Sequence, residues 1–174
     1  EPIGTDEVGV DVIIVRQDGK TEHHQCKAGN GSNEFWTLSA LNSTSILKNA
    51  KFQIEQGAEE FNLVSPLTCK LMADLRLIAL NYNGVPQDFL TFQINSSAER
   101  QKNFSQLCTY LGLDIQQDIH LERAINFLQK FVVTSYSEDT YQRNELLDKA
   151  SILFFDQPIN VINFLKTYPV GFNR

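Results

Sequence analysis

Asp11 and the run Gln25-Cys26-Lys27 are the residues of this chain whose types and spacing suit chemistry. A carboxylate, a side-chain carbonyl oxygen and an ammonium make up a set that phosphodiester hydrolysis asks for. A hard cation such as Mg²⁺ or Mn²⁺ prefers oxygen ligands, keeps several waters, and is held by one or two carboxylates together with the substrate phosphate. Asp11 supplies the carboxylate, and the Gln25 side-chain oxygen and the Cys26 backbone carbonyl are further ligands. Lys27 is suited to orient the attacking water and to meet the negative charge that grows on the phosphorane. Its compact charge on a flexible stem fits that task.

These residues need a hairpin to bring them together. Val10 to Arg16 is β-branched and apolar in the manner of a strand buried on both faces, and Gln17-Asp18-Gly19-Lys20 is a turn whose Asp-Gly pair tolerates positive φ. Thr21 to Lys27 is then a second strand, more polar than a core strand normally is. Side chains alternate along a strand, so Gln25 and Lys27 share one face and Cys26 takes the other. A turn at Asp18-Gly19 sets Asp11 beside Gln25 and Lys27. The bland alternative is a solvated edge hairpin in which the same residues fall together by chance. Placement on adjacent strands, with a glycine-containing loop and a crossover helix immediately after, favours the site.

The pattern beyond the hairpin is α/β. Ala28 to Glu34 reads as a loop, and a helical stretch runs from about Ser39 to Gln56, with Leu47, Ala50 and Ile54 as its apolar stripe and Gly57 as its stop. Phe61 to Ser65 is a short buried strand, so strand, crossover helix and strand place two strands parallel in one sheet. Further helices are expected over Cys69 to Asn81, Pro86 to Ile94, Ser97 to Leu111 with Gly112 as stop, and Gln116 to Gln129. Phe131 to Tyr136 suits one more strand, Asp139 to Phe155 a long helix, and Pro158 the start of a last short one. Asn30, Ser32, Lys48 and Lys51 border the hairpin's end in this reading and are candidates to contact phosphates.

Composition narrows the class. The 174 residues, 42% hydrophobic and 21% charged, suffice for one domain with a full core. The longest apolar runs fall far short of the roughly 20 residues a membrane-spanning helix needs. A net charge of −6 argues against bulk electrostatic coating of nucleic acid, while leaving room for a local site built around a cation. Three widely spaced cysteines, Cys26, Cys69 and Cys108, are no disulfide framework and point to a reducing cytoplasm. The chain lacks an initiator methionine and reads as an excised piece of a longer protein.

Competing readings are weaker. His24 and Cys26 with Cys69, Cys108 or His120 lack the second close ligand pair of a zinc site, so the cysteines read as small buried hydrophobes and His23 and His24 as polar strand residues. Asp6 and Glu7 suit a solvated turn, Trp36 a core aromatic, and Phe127, Phe131, Phe154, Phe155 and Phe164 a core stripe.

The sequence Gly9-Val10-Asp11-Val12-Ile13, a hairpin and Gln25-Cys26-Lys27 resemble the signature of PD-(D/E)XK nucleases, specifically the Mrr-like subset in which Gln replaces the acidic residue of the second strand. Gln brings no negative charge, so metal affinity rests more heavily on Asp11 and on another carboxylate. The family often draws that acid from a helix before the first strand, and Glu1 is the nearest candidate. Glu1 to Val12, Gln25 to Ala28, and Asn30-Gly31-Ser32 with Trp36 and Leu38 also resemble the N-terminal nuclease effectors fused to STAND-type NTPases in bacterial antiphage defence, over roughly residues 1 to 66.

The resemblance implies a restriction-endonuclease-like mixed sheet flanked by helices. The chain shows no internal repeat or linker, so 1–174 reads as a single domain with one core, any boundary between an α/β catalytic core, 1–95, and a mostly helical extension, 96–174, lying near residue 95. It implies double-stranded DNA as substrate and an NTPase and sensor region of the same polypeptide that answers a phage trigger protein. Cutting both strands further implies a homo-oligomer with paired sites. The alternative is a catalytically inactive module of the same fold that binds DNA or protein and gates a partner enzyme. A purely structural oligomerisation domain is a third reading.

Overall fold

A computed structural model describes residues 9–28, 34–82 and 84–135. The first hairpin forms where its turn chemistry puts it. β1 (Val12–Val15) runs antiparallel to β2 (Thr21–Cys26), with Val15 opposite Thr21 and Val12 opposite His24. Gly19 takes φ +82° and donates its N–H to the Arg16 carbonyl at 3.0 Å, and Asp18 Oδ1 accepts from Lys20 N at 3.1 Å.

β1 is not buried on both faces. Among the described strands it lies at one edge of the sheet, and Val12, Ile14 and Val15 are 48%, 43% and 68% exposed. Its apolar β-branched residues favour the extended backbone, but an edge strand has a neighbour on one side only, so composition overstates its burial.

The stretch expected as one helix is two. α1 (Leu38–Ser43) starts at Thr37, whose side chain accepts from Ala40 N, and α2 (Ile46–Glu55) starts at Ser45, in the left-handed region at φ +62°. The run Asn42-Ser43-Thr44-Ser45 causes the break. Ser43 and Thr44 hydroxyls both donate back to the Ala40 carbonyl, at 3.1 and 2.7 Å, competing with the helical ladder. Leu47, Ala50 and Ile54 are buried, so the stripe on α2 faces the core.

β3 (Glu60–Ser65) then lies parallel to β2, and β4 (Phe131–Ser135) parallel to β3, giving a mixed four-stranded sheet of order β1-β2-β3-β4. The molecule is thus α/β, a mixed sheet flanked by helices. Between β3 and β4 come α3 (Lys70–Leu80), a short α4 (Pro86–Asp88) that runs into a π-helical turn over Phe89–Ile94, α5 (Ala98–Leu111) and α6 (Asp118–Lys130). Gly112 ends α5 at φ +66°, with Leu113 N–H reaching the Cys108 carbonyl at 2.8 Å and Gly112 N–H reaching Thr109 at 3.1 Å, a Schellman closure.

One core unites residues on both sides of position 95. Phe61 and Phe131, paired across β3 and β4, stack with ring centroids 6.0 Å apart, and Phe127 stacks on Phe131 at 5.3 Å. Trp36 joins the core and donates Nε1–H to Ser65 Oγ at 3.0 Å. Cys69 and Cys108 are buried, and burial pushes the Cys108 thiol up to about 12. Cys26 departs from the buried-hydrophobe reading and is exposed, since its side chain alternates away from the buried Gln25. The helices expected over Asp139 to Phe155 and from Pro158, with Phe154, Phe155 and Phe164, lie outside the described residues, as do Asp6 and Glu7.

Candidate active site at the end of the hairpin

Asp11 leaves the ladder just where the hairpin ends. Its N–H donates to the His24 carbonyl at 2.8 Å, although the register pairs His24 with Val12. Two residues of the first strand therefore lie against one of the second, in the manner of a β-bulge, a device that re-aims a side chain. The Asp11 carboxylate reaches across and accepts the backbone N–H of Cys26 through Oδ2 at 2.6 Å. The structure thus brings Asp11 to the peptide joining Gln25 and Cys26.

The strand beyond that peptide aims its groups in alternate directions. Lys27 N–H points to β3 and donates to the Val64 carbonyl at 2.9 Å, whereas Cys26 N–H points the opposite way, to Asp11. A strand residue directs its N–H and C=O to the same side, so the Cys26 carbonyl is aimed at the Asp11 edge. Gln25 is 4% exposed, and its Oε1 has no hydrogen-bond partner among the described residues. Leaving a buried carbonyl oxygen unpaired costs about 1–3 kcal/mol, so each such group calls for an explanation. Lys27 is half-buried and follows Gln25 by two, on its face of the sheet by alternation.

α2 walls this region. His23 Nδ1 lies 2.8 Å from Gln53 Oε1, which ties β2 to α2 one alternation before Gln25. Asn49 stands one turn before Gln53 on the same face of α2. Its side chain lies over Gly9, close enough that a Cβ on Gly9 would meet Nδ2 at 2.0 Å. Gly9 also takes φ +77°, so the position two residues before Asp11 requires glycine on two counts. Sequence reasoning missed Asn49. The available signal was its spacing of four from Gln53, which places both amides on one helix face flanking the apolar stripe.

The remaining candidates separate. Lys48 is exposed on α2. Lys51 donates Nζ to the Leu111 carbonyl at 2.7 Å and lies 3.9 Å from Glu55, so its ammonium closes the C-terminal end of α5. Glu1, Asn30 and Ser32 lie outside the described residues.

The donor set has a definite chemical character. Among the described residues no three His, Cys, Asp or Glu side chains gather into a metal-binding group, and His24 Nε2 is instead 3.2 Å from Glu22. Although Cys26 is exposed, partial desolvation and then the Asp11 carboxylate push its thiol up, so it is a poor source of thiolate. What the hairpin offers is one carboxylate, one peptide carbonyl and one unpaired buried amide oxygen. That set fits a hard, oxygen-seeking cation and suits a soft one poorly. A cleft of about 330 Å³ lined by residues of α3 and β4, among them Met72, Arg76, Leu77 and Phe131, includes none of these groups. Compared with known proteins, the chain matches no family model, no curated protein and no solved structure.

Proposed function

We propose that the chain is a metal-dependent endonuclease that hydrolyses phosphodiester bonds of double-stranded DNA, acting in the cytoplasm as the effector of a STAND NTPase-type antiphage defence protein. The observation that carries the metal site in this reading is Gln25, a buried amide whose carbonyl oxygen has no partner among the described residues and which precedes the Cys26 N–H that Asp11 accepts. An ordered water or an ion is the kind of partner that satisfies a buried oxygen of this sort.

Asp11, Gln25 and the Cys26 carbonyl would hold Mg²⁺ or Mn²⁺. Bound there, the cation supplies positive charge to the scissile phosphate and acidity to a water. Lys27 holds the attacking water in line and takes up charge developing on the phosphate oxygens. DNA, the NTPase and sensor region, a phage trigger acting through that region, and a second copy of the chain for the second strand are the partners this reading entails. No helix among the described residues is long and apolar enough to cross a membrane.

Plasmid cleavage with Mg²⁺, Mn²⁺ or EDTA tests the proposal, comparing this chain and a longer one with their Lys27→Ala variants. Metal-dependent cutting lost in Lys27→Ala is the expected result. Cutting that survives Lys27→Ala and Asp11→Ala overturns it. One observation favours a second reading, a binding module of the same fold that gates a partner enzyme: Asp11 is already engaged by a backbone N–H. That module would bind DNA or protein without metal dependence and cut nothing.

A further inference from the structure

We infer that Asn49 belongs to the coordination sphere of the cation at the hairpin's end, supplying its amide oxygen directly or through one water. The inference rests on the metal reading above and extends it to a residue on the crossover helix.

Three observations converge on Asn49. Its side chain lies over Gly9, where any Cβ would meet Nδ2 at 2.0 Å, Cγ at 2.4 Å and Asn49 Cβ at 2.8 Å. The chain therefore passes Asn49 at backbone contact two residues before Asp11. Gln53, one turn further along α2, is tied to His23 at 2.8 Å, and Gln25 follows His23 by two on the same face of β2. α2 and β2 are thus held so that the turn bearing Asn49 lies at the Gln25 end of the strand. Gln25 itself is 4% exposed, and its Oε1 has no hydrogen-bond partner among the described residues, so it is available to a ligand.

The chemistry explains why an amide stands there. Six-coordinate hard cations accept neutral Asn and Gln carbonyls alongside carboxylates and waters. With Asp11 as the carboxylate and Gln25 neutral, a further neutral oxygen raises the coordination number while leaving charge for the phosphate to neutralise. An apolar residue over Gly9 would pack as closely and contribute nothing to an ion.

Mn²⁺ binding to the 174-residue chain, read from the loss of the free-ion electron paramagnetic resonance signal, tests the inference without relying on cleavage. Asn49→Ala is expected to weaken binding about tenfold, the lower end of what loss of a supporting group costs a metal site. Asn49→Asp, of nearly the same shape, is expected to tighten it by placing a charge on the ion. If the wild type binds Mn²⁺ and both variants bind equally well, Asn49 lies outside the sphere and this inference falls while the metal reading stands. If Asn49→Ala does not fold by circular dichroism, Asn49→Asp decides alone, and unchanged affinity overturns the inference. A wild type that binds no Mn²⁺, even with DNA present, removes the metal reading and this inference with it.

Discussion

The Asp11 carboxylate accepts the backbone N–H of Cys26 at 2.6 Å, so one side chain both clamps the end of the hairpin and carries the charge on which a cation there depends. Substitution separates the two roles. Asp11→Asn keeps an oxygen acceptor for Cys26 and loses the charge, so the fold is expected to hold while Mn²⁺ binding and cleavage disappear. Asp11→Ala loses both. Asp11 and Cys26 are exposed, so water replaces much of the lost bond and the stability cost stays near 1 kcal/mol. Urea unfolding beside Mn²⁺ titration measures both quantities. An Asn variant that bound Mn²⁺ like the wild type would remove Asp11 from the site.

Gly9 and Gly19 share a backbone conformation and differ in surroundings, which makes them a matched pair. Both have φ near +80°, at +77° and +82°, but a Cβ on Gly19 meets nothing within 4 Å whereas one on Gly9 collides with Asn49. Gly19→Ala is expected to cost about 1 kcal/mol, the strain of a left-handed alanine. Gly9→Ala should cost a further 1–3 kcal/mol or so, because Asn49 Cβ itself stands at 2.8 Å and rotation of the amide does not clear it. Equal midpoints in urea would show that Asn49 is free to yield.

Lys51, a candidate for phosphate contact, has a structural task in the described fold. Its ammonium meets the Leu111 carbonyl at 2.7 Å, where the last carbonyls of α5 lack helical partners. Lys51→Met keeps the aliphatic stem and is expected to lower stability by about 1 kcal/mol, with DNA affinity unchanged. Lys48→Met, on the exposed side of α2, is expected to leave stability unchanged. A loss of DNA affinity in Lys51→Met without a loss of stability would reverse this assignment.

Much of the frame was legible because local chemistry agrees with tertiary structure along most of the chain. The Asp-Gly turn, the stripe on α2, Ser97 opening α5 with its side chain accepting from Arg100 N, and Gly112 closing it all act through neighbours a few residues away. Misreadings arose where the decisive partner was distant. β-branched composition in β1 could not reveal that no described strand lies beyond it. Thr44 and Ser45 broke a helix that periodicity alone would have continued. At the site, alternation ordered Gln25, Cys26 and Lys27, but it could not show the bulge that turns Asp11 to the Cys26 N–H, nor the approach of Asn49 to Gly9. Those contacts depend on how α2 seats on the sheet.

Glu22 gives the fold a defined response to acid. The Arg16 guanidinium, through a hydrogen bond, and then His24 hold its carboxyl below the ordinary value of 4.5. A carboxyl depressed in the folded state contributes stability that is fully present above 4.5 and is lost as the pH falls through its lower folded value. Asp114, lowered by the Gln116 N–H and the Gln117 side chain, acts in the same direction. The stability gap between wild type and Glu22→Gln is therefore expected to be constant at neutral pH and to close on acidification below 4.5. Urea titrations across the acid range measure the gap, and one that did not narrow would break the link to Arg16.

Gln25 offers the sharpest separation of function from stability. Its amide is buried with an unpaired oxygen, so the folded protein carries a desolvation cost that no described group offsets. Gln25→Met replaces the amide with an apolar chain of similar length and is expected to leave stability unchanged or raise it by about 1 kcal/mol. Mn²⁺ affinity and cleavage should fall sharply in the same variant. Gln25→Glu runs the other way: a buried carboxylate destabilises the apoprotein, and Mn²⁺ should restore it, raising Tm more in this variant than in the wild type. Opposite signs for stability and binding in Gln25→Met are what a retained ligand position requires. A Met variant that was destabilised and still bound Mn²⁺ would mean that Gln25 packs the core and holds no ion.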